Sequence, residues 1–143
     1  MPRVERNLEI KAPQSNTFKI LDDTSVSSKW NLAVKEVEKI AEGQFAVKST
    51  VGDFTTIRTE TVIDESISLK IEGGIFNDMG YILQPKGEVV EATIWGEFDD
   101  EKNEKVLIKA GELLLESLKK YVEFLEEGRN PDEFDKKQIT VSM

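Results

Sequence analysis

The sequence predicts an α+β domain: a curved, seven-stranded antiparallel sheet, two short helices after the first strand, and a long C-terminal helix over the concave face. Two observations predict it. From Leu32 to Phe98 apolar residues recur with period two, broken at short intervals by turn residues. Beyond Asn103 the period becomes helical and stays so for about 24 residues, a span of ~36 Å.

The first strand is predicted over Arg3–Lys11, where Val4, Leu8 and Ile10 alternate with Glu5, Asn7 and Glu9. Ala12-Pro13 ends it, and Pro13 suits the first turn of a helix, where its missing N–H costs nothing. That helix runs to about Leu21 with Phe18 and Leu21 (or Ile20) inward. Asp22-Asp23-Thr24-Ser25 breaks it, and a second helical piece ends near Trp30. Six strands follow, over Leu32–Ala41, Gln44–Val51, Phe54–Ile63, Ser66–Glu72, Asn77–Pro85 and Glu88–Phe98. Their links are short, so neighbours pair antiparallel, and Gly52-Asp53 suits a two-residue hairpin turn. The last helix is predicted over Asn103–Glu127, stopped by Gly128 with Pro131 beyond. Val106, Leu107, Ala110, Leu113, Leu114, Ser117, Leu118, Tyr121, Val122 and Leu125 share its apolar half, and Glu116 and Lys120 are spaced to pair. Residues 1–128 thus form one domain, and 129–143 a polar, mobile tail in which Ile139-Thr140-Val141 is suited to a sheet edge.

With 143 residues the chain has room for one core. Its 28 acidic against 19 basic side chains give a net charge of −9, which repels nucleic acid and anionic membranes. Cys and His are both absent. Thiolate chemistry, Ser–His–Asp chemistry and Cys- or His-ligated metals are thereby excluded, and no cofactor is implied. The start, Met1-Pro2-Arg3-Val4-Glu5-Arg6, is not apolar, and no stretch approaches 18 apolar residues, so the expectation is a cytoplasmic chain without stable membrane insertion.

The strand-Ala12-Pro13 junction, the helix ending at Leu21-Asp22-Asp23 and Trp30-Asn31 before the second strand form a local pattern. Tyr81-Ile82-Leu83-Gln84-Pro85, then Gly87 and the strand from Val89 to Phe98, add a penultimate hairpin. With the element order, this pattern resembles the START and birch-pollen-allergen superfamily (SRPBCC), the polyketide cyclase/dehydrase and lipid-transport group, over residues 3–127. The resemblance implies the helix-grip fold, with an apolar cavity between sheet and helix. The roles it implies are lipid or sterol carriage, hormone or metabolite binding, aromatase/cyclase chemistry and chaperone activation.

The residues themselves favour a cavity. In the last strand Val90, Ala92, Ile94, Gly96 and Phe98 form the core face, matched by Ile67, Leu69 and Ile71, by Met79, Tyr81 and Leu83, and by Phe45, Val47 and Val51. Small residues stand opposite, Ala110 and Ser117 on the helix and Gly96 on the sheet. The expected lining is Trp30, Ile71, Met79, Tyr81, Ile94, Ala110, Leu114, Ser117 and Tyr121, with hydroxyls from Ser117, Tyr121 and Tyr81 orienting the ligand. Trp30 serves as a core plug or stacks on a flat ligand. Trp95 is read as facing outward, beside Glu91, Thr93 and Glu97.

The facing of Phe54–Ile63 is open. Either Ile57, Thr59, Thr61 and Ile63 point inward, or Phe54, Thr56, Arg58, Glu60 and Val62 do. A solvated outer face is expected for Arg58 and Glu60, because an inward pair of charges is costly unless compensated. Asp22-Asp23 and Asp99-Asp100 lack the ligand spacing of a calcium loop and read as caps. Three functions compete: carriage of a small apolar or amphipathic molecule, cyclase or dehydratase catalysis through a cavity carboxylate (Glu60) or tyrosine, and a chaperone-activator-like interaction module. The first is the main expectation. Whether the chain catalyses a reaction, and its oligomeric state, are not written in the sequence.

Overall fold

The computed structural model describes residues 2–136. Seven strands form one antiparallel sheet in the order β1-β7-β6-β5-β4-β3-β2: β1 (Arg3–Ile10), β2 (Val34–Ala41), β3 (Gln44–Ser49), β4 (Gly52–Val62), β5 (Ser66–Glu72), β6 (Asp78–Lys86) and β7 (Val89–Glu97). Between β1 and β2 lie α1 (Gln14–Asp22), a single 3₁₀ turn over Thr24–Val26, and α2 (Ser27–Trp30). The long helix α3 (Glu104–Glu126) follows the sheet. This is the curved sheet and gripping helix that the sequence predicts.

Local chemistry sets the boundaries. Pro13, extended at φ −63° and ψ 147°, precedes α1 as its cap. Asp23 accepts from the Ser25 N–H at 3.2 Å and Asp100 from the Lys102 N–H at 3.1 Å, so both acidic pairs contribute caps. The α3 terminus is closed by the Gly128 N–H on the Leu125 carbonyl at 3.0 Å, with Gly128 at φ +78°. The β3–β4 hairpin corrects the sequence reading. Ser49 pairs with Gly52, so Thr50-Val51 is the two-residue loop and Gly52-Asp53 already belongs to β4. Ser49 Oγ locks that loop, accepting from the Val51 N–H (3.2 Å) and donating to the Gly52 carbonyl (2.7 Å). Gly52 supplies the positive φ one residue after the turn.

The core face of β7 is as expected: Val90, Ala92, Ile94 and Phe98 are buried, with Ile67, Leu69, Ile71, Met79 and Leu83 beside them. On the convex face, the Trp95 indole lies over Gly80, its cross-strand partner, with the Arg3 guanidinium 4.5 Å from the ring centroid. Trp95 therefore points outward as predicted, but it is half-buried over a glycine rather than free.

Helix α3 packs chiefly on β1 and less on β7. Its N-terminal half runs beside the sheet's hollow, whereas Leu118, Tyr121 and Val122 are sealed in the core. Val106, predicted on the apolar half, is exposed. The ion pair along the helix is Lys119–Glu123 at 2.6 Å rather than Glu116–Lys120, because Lys119 also donates to the Glu9 carbonyl and Glu123 accepts from the Lys11 N–H. After α3 the chain folds back: Phe134 sits edge-on to Tyr121 and Phe124, and Lys136 Nζ donates to the carbonyls of Ser28, Asn31 and Val34. The Ile139-Thr140-Val141 expectation lies outside the described residues.

Candidate functional site

Because α3 sits over β1 and β7, the concave faces of β4, β5 and β6 are left without a covering helix along part of their length. The hollow there has a volume of about 130 Å³, counted as space open to the centre of a water-sized sphere. Its roof is Leu107, Ile108, Ala110, Gly111 and Leu114 of α3. Leu21, Thr24, Ser27, Trp30 and Asn31 close one side, and Val47, Phe54, Leu69, Met79 and Ile94 contribute to the sheet floor. A larger hollow of about 530 Å³ outside β2–β4 is bordered by Glu36, Glu38, Lys48, Asp53 and Glu72, a solvated charged groove rather than an interior site.

Six of the expected lining residues face the cavity: Trp30, Met79, Tyr81, Ile94, Ala110 and Leu114. Three do not. Ile71 is buried next to Gly74 and does not border the hollow, although its cross-strand partner Thr56 does. Ser117 is wholly buried, with its hydroxyl donating to the Leu113 carbonyl (2.7 Å) and accepting from the Leu32 N–H (3.2 Å). Its role is to tie α3 to the α2–β2 link. Tyr121 is buried beneath Phe134, with ring centroids 4.9 Å apart. Both belong to the sealed half of α3.

The ambiguous strand is resolved by a bulge. Arg58 pairs with Leu69, Glu60 with Ser68 and Thr61 with Ile67, so β4 carries one residue more than β5 at this point. Directly paired residues share a face. Phe54, Thr56 and Arg58 thus join the concave face, Glu60 turns outward, and Thr61 turns in again. The expectation that Arg58 lies on a solvated outer face is corrected, while Glu60 is exposed as expected. Arg58 is compensated on the spot: Nη1 donates to Asp22 Oδ1 (2.8 Å) and Thr61 Oγ1 (3.0 Å), and Nη2 to the Asp22 carbonyl (3.0 Å). This pair ties the end of α1 to β4 at the cavity margin. At the α3 side, Arg6 is bound to Glu112 Oε1 at 3.3 Å.

The polar chemistry of the interior is sparse. Tyr81 faces the hollow, and although part of its surface is exposed, burial pushes its phenol well above the ordinary range, partly offset by the Arg58 charge. It stays protonated at physiological pH. Trp30 Nε1 and Thr56 Oγ1 are buried with no hydrogen-bond partner in the protein, and both residues line the cavity. Thr56 was missed as a site residue because its facing depended on the bulge. Among the described residues, no group of three acidic, His or Cys side chains is placed to hold a metal ion.

A sheet, the helix gripping it and a hollow between them define a helix-grip protein. More narrowly, the chain has a START-like fold. It superposes on a START superfamily protein from Mycobacterium smegmatis with a TM-score of 0.73 at 17% identity, covering 86% of this chain and 98% of that one. The Zhui aromatase/cyclase from Streptomyces sp. R1128 matches with a TM-score of 0.73 at 14% identity, over 86% of this chain and 94% of that one. The Aha1 dimer from Colwellia psychrerythraea matches with a TM-score of 0.70 at 13% identity, over 86% and 97%. At these identities the likeness is one of fold. No protein-family model and no curated protein matches the sequence. No helix among the described residues is long and apolar enough to cross a membrane.

Proposed function

We propose that this chain binds a small, largely apolar molecule between sheet and α3. The observation that carries the reading is the hollow of about 130 Å³, walled by apolar side chains from three helices and the sheet that do not fill it. An engineered apolar cavity of about 150 Å³ takes up benzene. The size therefore suits a single ring or a short chain in this conformation and is too small for a sterol or a two-chain lipid. Affinity comes from apolar area removed from water, about 25 cal/mol per Å² before the cost of immobilising the ligand.

The cyclase or dehydratase reading loses its carboxylate, since Glu60 is on the outer face. A filled core would favour the interaction-module reading, and the hollow weighs against it.

Toluene titration followed by thermal unfolding tests the proposal. At tenfold excess over Kd, linkage adds about 1.4 kcal/mol, raising Tm by about 3–5 °C. Ala110→Phe, which fills the roof, abolishes the shift. A wild-type Tm indifferent to toluene, with no retained small molecule in native mass spectrometry of mildly purified protein, overturns the reading.

A further inference from the structure

Two polar atoms on residues that line the cavity are left without partners by the protein. Trp30 Nε1 belongs to α2 and Thr56 Oγ1 to β4, so they come from different walls of the same hollow. Trp30 is 2% exposed and Thr56 4%, so bulk water does not satisfy them. Buried polar side-chain atoms are paired in the large majority of cases, and an orphan is costly. An indole N–H can only donate, and a threonine hydroxyl donates as well as accepts.

The charges nearby do not change this inventory. Arg58 directs both terminal nitrogens at Asp22, with Thr61 sharing one of them. Arg6 is held by Glu112 and by the Glu5 carbonyl. Tyr81 is a neutral phenol. The residues bordering the hollow therefore carry unpaired neutral donors within a largely apolar wall, with Arg58 and Arg6 already compensated.

From this placement we infer that the ligand is uncharged and carries a hydrogen-bond acceptor, such as a carbonyl or ether oxygen, on a compact apolar body, with that oxygen seated between Trp30 and Thr56. The inference rests on the binding reading above and narrows it. A plain hydrocarbon leaves both donors unsatisfied. An anion of the same shape gives up its hydration without meeting a free positive charge, which buried sites do not tolerate.

The test compares cyclohexanone, methylcyclohexane and cyclohexanecarboxylate at about pH 7, where the last is ionised. Binding is followed by ¹⁵N NMR in a Trp95→Phe background, which leaves Trp30 as the one indole. Cyclohexanone shifts the Trp30 indole N–H signal downfield and binds more tightly than the carboxylate. Thr56→Val keeps the shape and removes the hydroxyl. It weakens cyclohexanone by about three- to tenfold and leaves methylcyclohexane within about twofold. If both rings bind but Thr56→Val weakens them alike or neither, or if the carboxylate binds tightest, the inference falls and the binding reading stands. If none of the three binds, both fall together.

Discussion

Gly111→Ala probes the hollow from above. Gly111 lies inside α3, where glycine costs about 0.8–1.0 kcal/mol relative to alanine. A Cβ built there meets Ile94 Cγ2 of the floor at 3.4 Å, an ordinary van der Waals contact, so the methyl is accommodated without a clash. The full propensity gain should appear: about 1 kcal/mol of added stability, or about 2–4 °C in Tm for a chain of this size. The same methyl projects into the cavity, so toluene should bind more weakly while the protein becomes more stable, a trade-off common at binding sites. Urea unfolding gives the first quantity and the toluene-induced Tm shift the second. An unchanged or lowered Tm with undiminished toluene binding would mean that α3 already touches the floor, and the account of the hollow would be wrong.

Gly80→Ala should act oppositely. Its Cβ would lie 2.6 Å from the Ile67 carbonyl oxygen and 2.6 Å from the Trp95 ring, and relieving the clash should cost about 1–3 kcal/mol in urea unfolding. Ser117→Ala strands the Leu32 N–H and should cost about 1–3 kcal/mol, while toluene affinity, measured by NMR titration, stays unchanged. For Glu123, burial opposes the charge, but the Lys11 N–H and the Lys119 ammonium outweigh it and hold the carboxyl below its ordinary 4.5. Its stabilising contribution is complete above 4.5 and disappears as pH falls through the lower folded value. The stability gap between wild type and Glu123→Gln, read by denaturant titration at several pH values, should therefore be constant near neutrality and close on acidification. The effect is modest because the pair is partly solvated.

The fold was legible in the sequence because each level agreed: turn residues at strand ends, period-two alternation between them, and a capped amphipathic helix last. The site was legible only in part, for two reasons. A helical wheel shows which face of α3 is inward but not where the sheet curves away beneath it. Leu107 to Leu114 border space, whereas Ser117 and Tyr121, on the same face, are packed solid. The other reason lies in β4. Alternation there changes phase between Arg58 and Thr61, so neither face read consistently and Thr56 was left out of the expected lining. Ile71 was misplaced more simply: it is inward on β5, but it is buried against Gly74 and does not reach the open space.

The surplus residue in β4 has a consequence for how this interior can change. Losing one residue from a strand normally turns everything beyond it inside out. Here, removing Thr59 would bring β4 back into step with β5, with Arg58 and Thr61 still pointing in and Glu60 still pointing out. Only the added bend would be lost. A single-codon deletion is thus a way to flatten the floor and resize the chamber without rewriting its walls.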